Sequence, residues 1–209
     1  MTMVTIHHLE RSRSDRIIWL CEELGIVYEI VQHQRDPDTM RASETLWAVN
    51  PLGKSPVIEH QGQVIFESGA IIEYLLSAFD ADSLRPATDT KAYIDYLQWL
   101  HAAEATMTLP ILMPMLCGAM GIESELMPLF ADNETQTLYR YLEAELTQRD
   151  YIAGDNFSAA DIMLSYTLMM AQSLAVTGPD EVFTSYPAIN SYLARLKSRE
   201  AYQLACVKF

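Results

Sequence analysis

The sequence predicts a mixed α/β domain followed by an all-α domain. Two observations support this prediction: the type of periodic pattern changes near residue 80, and a polar, proline-containing segment, Asp80–Thr90, follows that point. Upstream, strand and helix patterns follow each other as a βαβ unit and then a ββα unit. Downstream, the apolar residues recur at helical spacing. We therefore predict domains at 1–80 and 91–209, joined by a linker at 81–90.

The first domain is predicted to open with a strand, a helix and a second strand. A strand over Val4–Leu9 precedes a helix over Arg13–Leu24, and Gly25 stands where a helix C-cap belongs. A strand over Tyr28–Val31 comes next, followed by a polar excursion. Strand, helix and strand in this order are typical of a βαβ unit with a parallel strand pair.

The segment Asn50–Tyr74 is the most informative part of the chain. Two short strands, Val57–Ile58 and Val64–Phe66, are separated by Gln61-Gly62, which can reverse the chain into a hairpin. A helix follows, because apolar residues then recur at helical spacing: Ile71, Ile72, Leu75 and Leu76. An unrelated hairpin and helix would show the same patterns singly, so their order and spacing carry the prediction.

Four residues of this segment indicate a ligand. Pro56 stands directly before a strand, where a proline removes a ladder donor, so we predict a cis Ser55–Pro56 bond that turns the Ser55 main chain toward an extended ligand. Ser68 is predicted to cap the next helix, whose free N–H groups bind a carboxylate. Glu67 would hold an ammonium group. An amine beside a carboxylate on a peptide-like chain describes the γ-glutamyl end of glutathione.

These residues resemble the glutathione-binding half of the cytosolic glutathione transferases, whose fold is a thioredoxin-like domain followed by a helical domain. The run HHLERSRSDRIIWLCEELG resembles a bacterial and fungal subgroup with an S-R-S-x-R start to the first helix. The resemblance covers essentially the whole chain. It implies that glutathione is the co-substrate, with Arg13 and Lys54 among the residues around it.

The start of the first helix is expected to hold the chemistry. Ser12 and Asp15 have capping-box spacing, with Asp in place of the usual Glu or Gln, so Ser12 has a purely structural reading as the cap. In the resembling family, a hydroxyl at this helix stabilises the thiolate of bound glutathione. Ser12 is the first candidate for that hydroxyl and Ser14 the second, and a third alternative is that neither serves.

The helical domain offers four further candidate site residues. Glu104 is either a second contact for the glutathione amine, from its own or a neighbouring subunit, or a solvated helix charge. His101 is predicted to be a pocket or core histidine rather than a general base. Met107 and Met113 fit a soft apolar pocket for the second substrate as well as they fit ordinary core. Ser158 and Asp161 form a capping box, which we interpret as structural.

Composition and charge exclude several function classes. Hydrophobic residues make up 50% of the 209 residues and charged ones 20%, which is typical of a globular chain. The formal net charge of −14 would repel nucleic acid and anionic membranes, although simple solubility also explains it. No apolar run, signal-peptide pattern, paired cysteine motif or metal-ligand spacing is found, so we expect a cytoplasmic protein without a metal.

An acidic chain also opposes glutathione, which is itself an anion. The basic residues that can offset this repulsion lie in the two predicted site segments: Arg11, Arg13, Arg16 and Lys54. The sequence thus predicts a homodimeric glutathione transferase that acts on a small hydrophobic electrophile or an organic hydroperoxide. The alternative is a glutathione-binding or regulatory protein of the same fold without turnover.

Overall fold

The computed structural model describes residues 3–175 and 178–209 of the chain. They fall into two compact units. Residues up to Arg85 form the first unit together with Lys197–Phe209, and Pro86–Leu196 form the second. The C-terminal segment therefore clusters with the first unit, although its position in the sequence had assigned it to the helical domain.

The first unit is built on a mixed four-stranded sheet, as predicted. Its strands are β1 Val4–Leu9, β2 Tyr28–His33, β3 Val57–His60 and β4 Gln63–Phe66. They lie in the order β2-β1-β3-β4, with β1 parallel to β2 and antiparallel to β3, and with β3 antiparallel to β4. Because β1 and β3 are antiparallel neighbours, the end of β1 and the start of β3 come together at one end of the sheet, where the predicted glutathione segments meet.

The α-helices described in this unit are α1 Asp15–Leu24, α2 Glu44–Val49, α3 Ser68–Ala78 and α9 Glu200–Cys206, and a short 3-10 helix spans Asp82–Leu84. The apolar side chains in the first half of α1 are fully buried, with Ile17, Ile18 and Leu20 at 0% exposure. Each such side chain contributes about 1.5–3 kcal/mol on burial. Rigid packing of this kind fixes the N-terminal end of α1, which carries the candidate serines.

All regular elements described in the second unit are helices. Its helices are α4 Lys91–Ala102, α5 Thr108–Ala119, α6 Leu126–Gln148, α7 Ala159–Leu174 and α8 Pro187–Lys197. The predicted capping box of α7 is present, with the Ser158 N–H donating to Asp161 Oδ2 at 2.8 Å. Asp161 Oδ1 also accepts from the Ile152 N–H and the Tyr192 hydroxyl, each at 2.8 Å. The box therefore joins the start of α7 to its neighbours, which confirms the structural interpretation.

Candidate functional site

Asn50 shapes the loop that leads into β3. Its side-chain amide donates to the Lys54 carbonyl oxygen at 3.0 Å, and its Oδ1 accepts from the Leu52 N–H at 3.1 Å. The Gly53 N–H closes the turn on the Asn50 carbonyl oxygen at 2.8 Å. Asn50 is only 2% exposed, so these bonds satisfy a buried amide and fix the main chain just before Ser55.

Gly53 is required by the same loop. It has φ +58°, and a Cβ atom at this position would lie 2.3 Å from the Trp47 ring. That separation is well inside van der Waals contact, and the left-handed backbone is itself unfavourable for other residues. The Trp47 ring therefore packs directly against the turn, and a residue with a Cβ atom does not fit at position 53 unless the ring shifts.

The cis-proline brings two serines together. The Ser55–Pro56 peptide bond is cis, as predicted. Ser55 Oγ donates to the His7 carbonyl oxygen on β1 at 3.1 Å, and the Ser12 hydroxyl donates to Ser55 Oγ at 3.2 Å. Ser12, which follows β1, thus meets a residue 43 positions later in the chain. This contact places the first candidate hydroxyl beside the segment predicted to pair with an extended ligand.

The predicted capping box at α1 does not form. The helix begins at Asp15 with Ser14 at its N-cap position, and neither serine side chain caps it in the described structure. The Asp15 N–H instead bonds the main-chain oxygen of Ser12 at 3.3 Å. The turn Ser12–Asp15 therefore closes through main-chain atoms, and Ser12 Oγ, which accepts from the Ser14 N–H at 3.3 Å, keeps its own proton for another partner.

The two serines differ in their surroundings. Ser14 is 0% exposed, and its Oγ contacts His8 Nδ1 and Ser12 Oγ, each at 2.7 Å. Ser12 is 8% exposed and has Ser55 as its outer neighbour. Ser14 is consequently enclosed by protein groups. Ser12 is the one of the two serines that lies beside the loop containing Ser55.

The structure also corrects the predicted cap of α3. Glu67, not Ser68, is the N-cap residue, and Ser68 is the first residue of the helix, 3% exposed. Glu67 has φ 73° and ψ 121°, a conformation that costs a non-glycine residue about 1–3 kcal/mol and is most often found at functional sites. Because Glu67 directly precedes N–H groups that lack intrahelical acceptors, an acidic side chain adjoins an anion-binding main chain.

The basic residues are arranged unevenly. Lys54 and Arg11 are exposed and Arg13 is half-buried, whereas Arg16 is only 1% exposed. A solvated cation can approach an anionic ligand, but a fully buried guanidinium belongs to the packing of α1. Lys54 and Arg13 therefore stay candidates for glutathione contacts, and burial prevents Arg16 from contacting the ligand directly.

The four candidates on the helical unit have different exposures. His101 is exposed at the end of α4, and Glu104 is half-buried just after it. Met113, on α5, is half-buried. Met107 is 0% exposed and packs in the core, which counts against it as a pocket residue.

Burial also determines the protonation of the groups around α1. It lowers the pKa of His8, with Glu10 opposing weakly, and it raises the pKa of Asp15 to about 7. Burial likewise raises the pKa of the Cys21 thiol, so this cysteine is no nucleophile at neutral pH. The hydroxyl groups of Ser12 and Ser14 are then the candidate side-chain donors at the start of α1.

Sequence reasoning missed Asn50 and His8. An asparagine just before a Pro-x-Gly turn is a signal for such a capping role, because its side chain bonds the main chain two residues on. His8 gave no comparable signal, because its contact with Ser14 depends on the turn geometry after β1.

Within the described ranges, no group of three or more histidine, cysteine, aspartate or glutamate side chains is arranged to hold a metal ion. The same ranges contain no helix that is long and apolar enough to cross a membrane.

Two family models match the chain. The glutathione S-transferase N-terminal domain matches residues 1–77, and the glutathione S-transferase C-terminal domain matches residues 102–200. The first match contains the serines, the cis-proline and Glu67, and the second covers most of the helical unit.

Individual relatives agree with the family models. The chain is 26% identical to glutathione S-transferase 1 of Saccharomyces cerevisiae over 97% of its own length and 93% of the relative's. It is 31% identical to glutathione S-transferase 3 of Schizosaccharomyces pombe over 81% of its own length and 75% of the relative's. A crystal structure of a glutathione S-transferase from Actinobacillus pleuropneumoniae is 31% identical, with a TM-score of 0.87 over 99% of this chain and 92% of that one. The chain therefore belongs to the glutathione S-transferase family.

Proposed function

We propose that this chain is a glutathione transferase in which the Ser12 hydroxyl stabilises the thiolate of bound glutathione. The observation that carries the proposal is the 3.2 Å contact between Ser12 Oγ and Ser55 Oγ beside the cis-proline. An extended peptide that pairs with the Ser55 main chain has its middle residue, the cysteine of glutathione, nearest to Ser12.

The γ-glutamyl end is proposed to bind at the start of α3. Its carboxylate fits the free N–H groups of the first turn, where Ser68 lies, and its ammonium fits the exposed carboxylate of Glu67. Lys54 and Arg13 supply positive charge for the rest of an anionic ligand. This arrangement matches one charge of each sign on the ligand to an opposite charge or dipole on the protein.

The energetic requirement is modest. A free thiol has a pKa of about 8.5, so only a few per cent is thiolate at neutral pH. Lowering that pKa by about two units requires roughly 2.7 kcal/mol of selective stabilisation. A hydroxyl hydrogen bond to an anion contributes about 1.5–3 kcal/mol, and a nearby helix N-terminus adds to it. The thiolate then attacks an electrophilic carbon, forming a carbon–sulfur bond as the leaving group departs. Alternatively, it attacks the terminal oxygen of an organic hydroperoxide, which releases the alcohol and leaves glutathione sulfenic acid, and a second glutathione thiol converts that to the disulfide and water.

The second substrate is proposed to be a small hydrophobic electrophile. His101 and Met113 are exposed or half-buried and stay our predictions for its pocket, as Glu104 does for a second contact to the amine. Binding without turnover is the alternative function. A panel of aryl and alkyl electrophiles and cumene hydroperoxide, assayed with glutathione, separates conjugation, peroxide reduction and binding alone.

Glutathione binding itself is tested by Glu67→Ala. Loss of a charged hydrogen bond should weaken the affinity for glutathione about 10- to 100-fold in calorimetry. Glu134→Ala, which removes an exposed carboxylate from α6, is the matched control and should leave the affinity unchanged. Equal affinities in all three proteins would remove Glu67 from the site.

The thiol-activating role is tested by Ser12→Ala. We expect the pKa of the bound thiol to rise by about one to two units, because one hydrogen bond to the thiolate is lost. Thiolate absorbance followed against pH measures this pKa, and calorimetry should show nearly unchanged glutathione affinity. An unchanged thiol pKa would mean that main-chain N–H groups or an arginine stabilise the sulfur.

A further inference from the structure

Behind Ser12 lies a continuous chain of buried polar groups. His8 Nδ1 contacts Ser14 Oγ at 2.7 Å, and Ser14 Oγ contacts Ser12 Oγ at 2.7 Å. Ser12 then donates to Ser55 Oγ at 3.2 Å, and Ser55 donates to the His7 carbonyl oxygen at 3.1 Å. His8 and Ser14 are both 0% exposed, so the inner half of the chain is shielded from bulk solvent.

The carbonyl oxygen of His7 fixes the direction of every bond in this chain. A carbonyl oxygen only accepts, so the single proton of the Ser55 hydroxyl is used there. Ser55 Oγ must then accept the proton of Ser12, and Ser12 Oγ must accept the proton of Ser14. Ser14 Oγ in turn accepts from His8, which therefore carries its proton on Nδ1.

The surroundings of His8 agree with that tautomer. Burial lowers the pKa of His8, so the neutral ring carries one proton. Asp15 Oδ1 lies 3.7 Å from Nδ1 and favours the proton on that nitrogen, and the buried Nε2 has no hydrogen-bond partner among the described residues. A bare acceptor without a partner is tolerated better than a buried N–H without one. The Leu9 N–H also donates to Ser14 Oγ, at 3.4 Å, and the Leu9 carbonyl oxygen lies 3.5 Å from that hydroxyl. The contact to Ser12 Oγ, at 2.7 Å, is much shorter, so Ser12 Oγ is the stronger acceptor for the Ser14 proton.

We propose that His8 and Ser14 are positioning residues that orient the Ser12 hydroxyl, so that its proton is directed outward to the glutathione sulfur. This inference rests on the proposed function of Ser12. The Ser14 hydroxyl and the Ser14 N–H, the latter at 3.3 Å, both donate to Ser12 Oγ and occupy its acceptor side. The Ser12 proton can then only point away from them, toward Ser55 or a bound ligand.

The outer bond is the one that ligand binding replaces. At 3.2 Å, the bond from Ser12 to Ser55 is longer than the two inner contacts of 2.7 Å. A thiolate is a charged acceptor and forms a stronger bond than a neutral hydroxyl. Rotation of the Ser12 O–H group is therefore enough to redirect its hydrogen bond from Ser55 Oγ to the sulfur, with no rearrangement behind it.

The test measures the pKa of bound glutathione in variants of the full chain. Ser14→Ala removes the donor to Ser12, and His8→Phe removes the donor to Ser14. Both should raise the thiol pKa by roughly 0.3–1 unit, because each bond in a buried chain polarises the next, while glutathione affinity changes less than twofold. His8→Asn offers an amide N–H close to the position of Nδ1 and should restore the wild-type thiol pKa.

The double variant Ser12→Ala/Ser14→Ala separates a relay from two independent effects. If Ser14 acts through Ser12, glutathione bound to the double variant should have the same thiol pKa as glutathione bound to Ser12→Ala. Additive shifts would overturn the proposal, as would an unchanged thiol pKa in Ser14→Ala. Loss of glutathione affinity without a change in the thiol pKa would also overturn it, because that result indicates a purely structural role.

Failure of the proposed function gives a different result. If Ser12→Ala binds glutathione with a wild-type thiol pKa, then Ser12 is not the activating hydroxyl and the relay falls with it. If Ser12→Ala shifts the thiol pKa and Ser14→Ala does not, only the relay is wrong. Should His8→Phe fail to fold, Ser14→Ala and the double variant still decide.

Discussion

Asp15, the first residue of α1, has a carboxyl group in a partly buried position that disfavours its charged form. Burial raises its pKa from the ordinary value of 3.8 to about 7, although its own main-chain hydrogen bond and Arg16 both act in the opposite direction. Its Oδ1 has no hydrogen-bond partner in the described part of the chain. An ionised Asp15 therefore costs folding free energy that the neutral form does not.

Asp15→Asn should stabilise the protein at high pH. Between pH 3.8 and about 7 the native state binds more protons than the unfolded state, so wild-type stability falls as pH rises through that window. The variant should gain about 1–3 kcal/mol in the free energy of unfolding at pH 8 and little at pH 4. Urea unfolding at the two pH values measures the difference. An equal gain at both would show that ionisation of Asp15 is not the cause.

Single residues were predictable where local chemistry decides their role. Pro56 before a strand and Glu67 before a helix are recognisable in the sequence alone, and the predicted cis bond is present. The two caps were wrong by one or two residues. Ser12 and Ser14 both suit a helix start, and the sequence gives no way to choose when main-chain bonds close the turn. The His8 contact to Ser14 needs three-dimensional geometry, which no local pattern contains.

At the scale of elements, α9 is attached to α1 by an acidic side chain with two partners. The Arg199 guanidinium donates to both Glu23 oxygens, at 2.6 and 2.7 Å, and Trp19 Nε1 donates to Glu23 Oε1 at 2.9 Å. The Trp19 and Tyr202 rings meet edge to face at 4.9 Å. The Glu23 side chain is 7% exposed and the Arg199 side chain 29%, so this ion pair is partly shielded from water.

Glu23→Gln should therefore destabilise the chain. The substitution removes the negative charge from a bidentate, part-buried ion pair and leaves the Arg199 guanidinium facing a neutral amide. The expected cost is about 1–3 kcal/mol in the free energy of unfolding. Glu10→Gln is the matched control, because the Glu10–Arg11 pair is exposed and such pairs contribute little. Urea denaturation of both variants measures the contrast. Equal stabilities would mean that apolar packing alone holds α9 in place.

Elements were missed where proline or shortness hides the helical pattern. The run containing Pro110 and Pro114 was not predicted as a helix, yet α5 spans it, with Pro110 in the first turn, where an N–H is not needed. The α2 and α9 helices have 6 and 7 residues, too few for a period of 3.6 to stand out. In contrast, the apolar spacing over Thr135–Leu146 is long enough to predict a helix, and α6 contains this range within its 23 residues.

For the molecule as a whole, the order of elements was enough to predict the fold class. Each strand of the mixed sheet was found in the sequence, because its boundaries are marked by Gly, Pro or polar turns. The grouping of residues 197–209 with the sheet unit was not predictable, since it depends on contacts between distant positions such as Arg199 and Glu23. Oligomeric state is a further property at this scale that the order of elements does not determine.

We predict a two-fold symmetric dimer. Strand β4 lies at an edge of the sheet, and its Val64 and Phe66 side chains are 47% and 45% exposed. An uncovered apolar edge strand is an association site, and closed two-fold pairing is the commonest way for soluble chains to cover one. The adjoining region Ser68–Phe79 and the segment Lys91–Ala105 are the other candidate contacts.

The net charge sets how the dimer should respond to salt. Two chains of −14 each repel one another, and salt screens that repulsion over about 8–10 Å, so the dimer should tighten as ionic strength rises. Light scattering at micromolar concentration and physiological salt should report about twice 23.7 kDa. A clean monomer that still turns over glutathione would refute the dimer and any role for Glu104 in a neighbouring site.

Phe66→Glu tests the proposed interface directly. A carboxylate on the exposed edge strand adds unpaired charge to an apolar contact, so the variant should run as a monomer under conditions in which the wild type is dimeric. Val27→Glu is the matched control, because Val27 belongs to the same unit and is 71% exposed without lying on β4. If both variants stay dimeric with equal dissociation constants, the interface lies away from β4. If Phe66→Glu alone dissociates, the edge strand is part of the dimer contact.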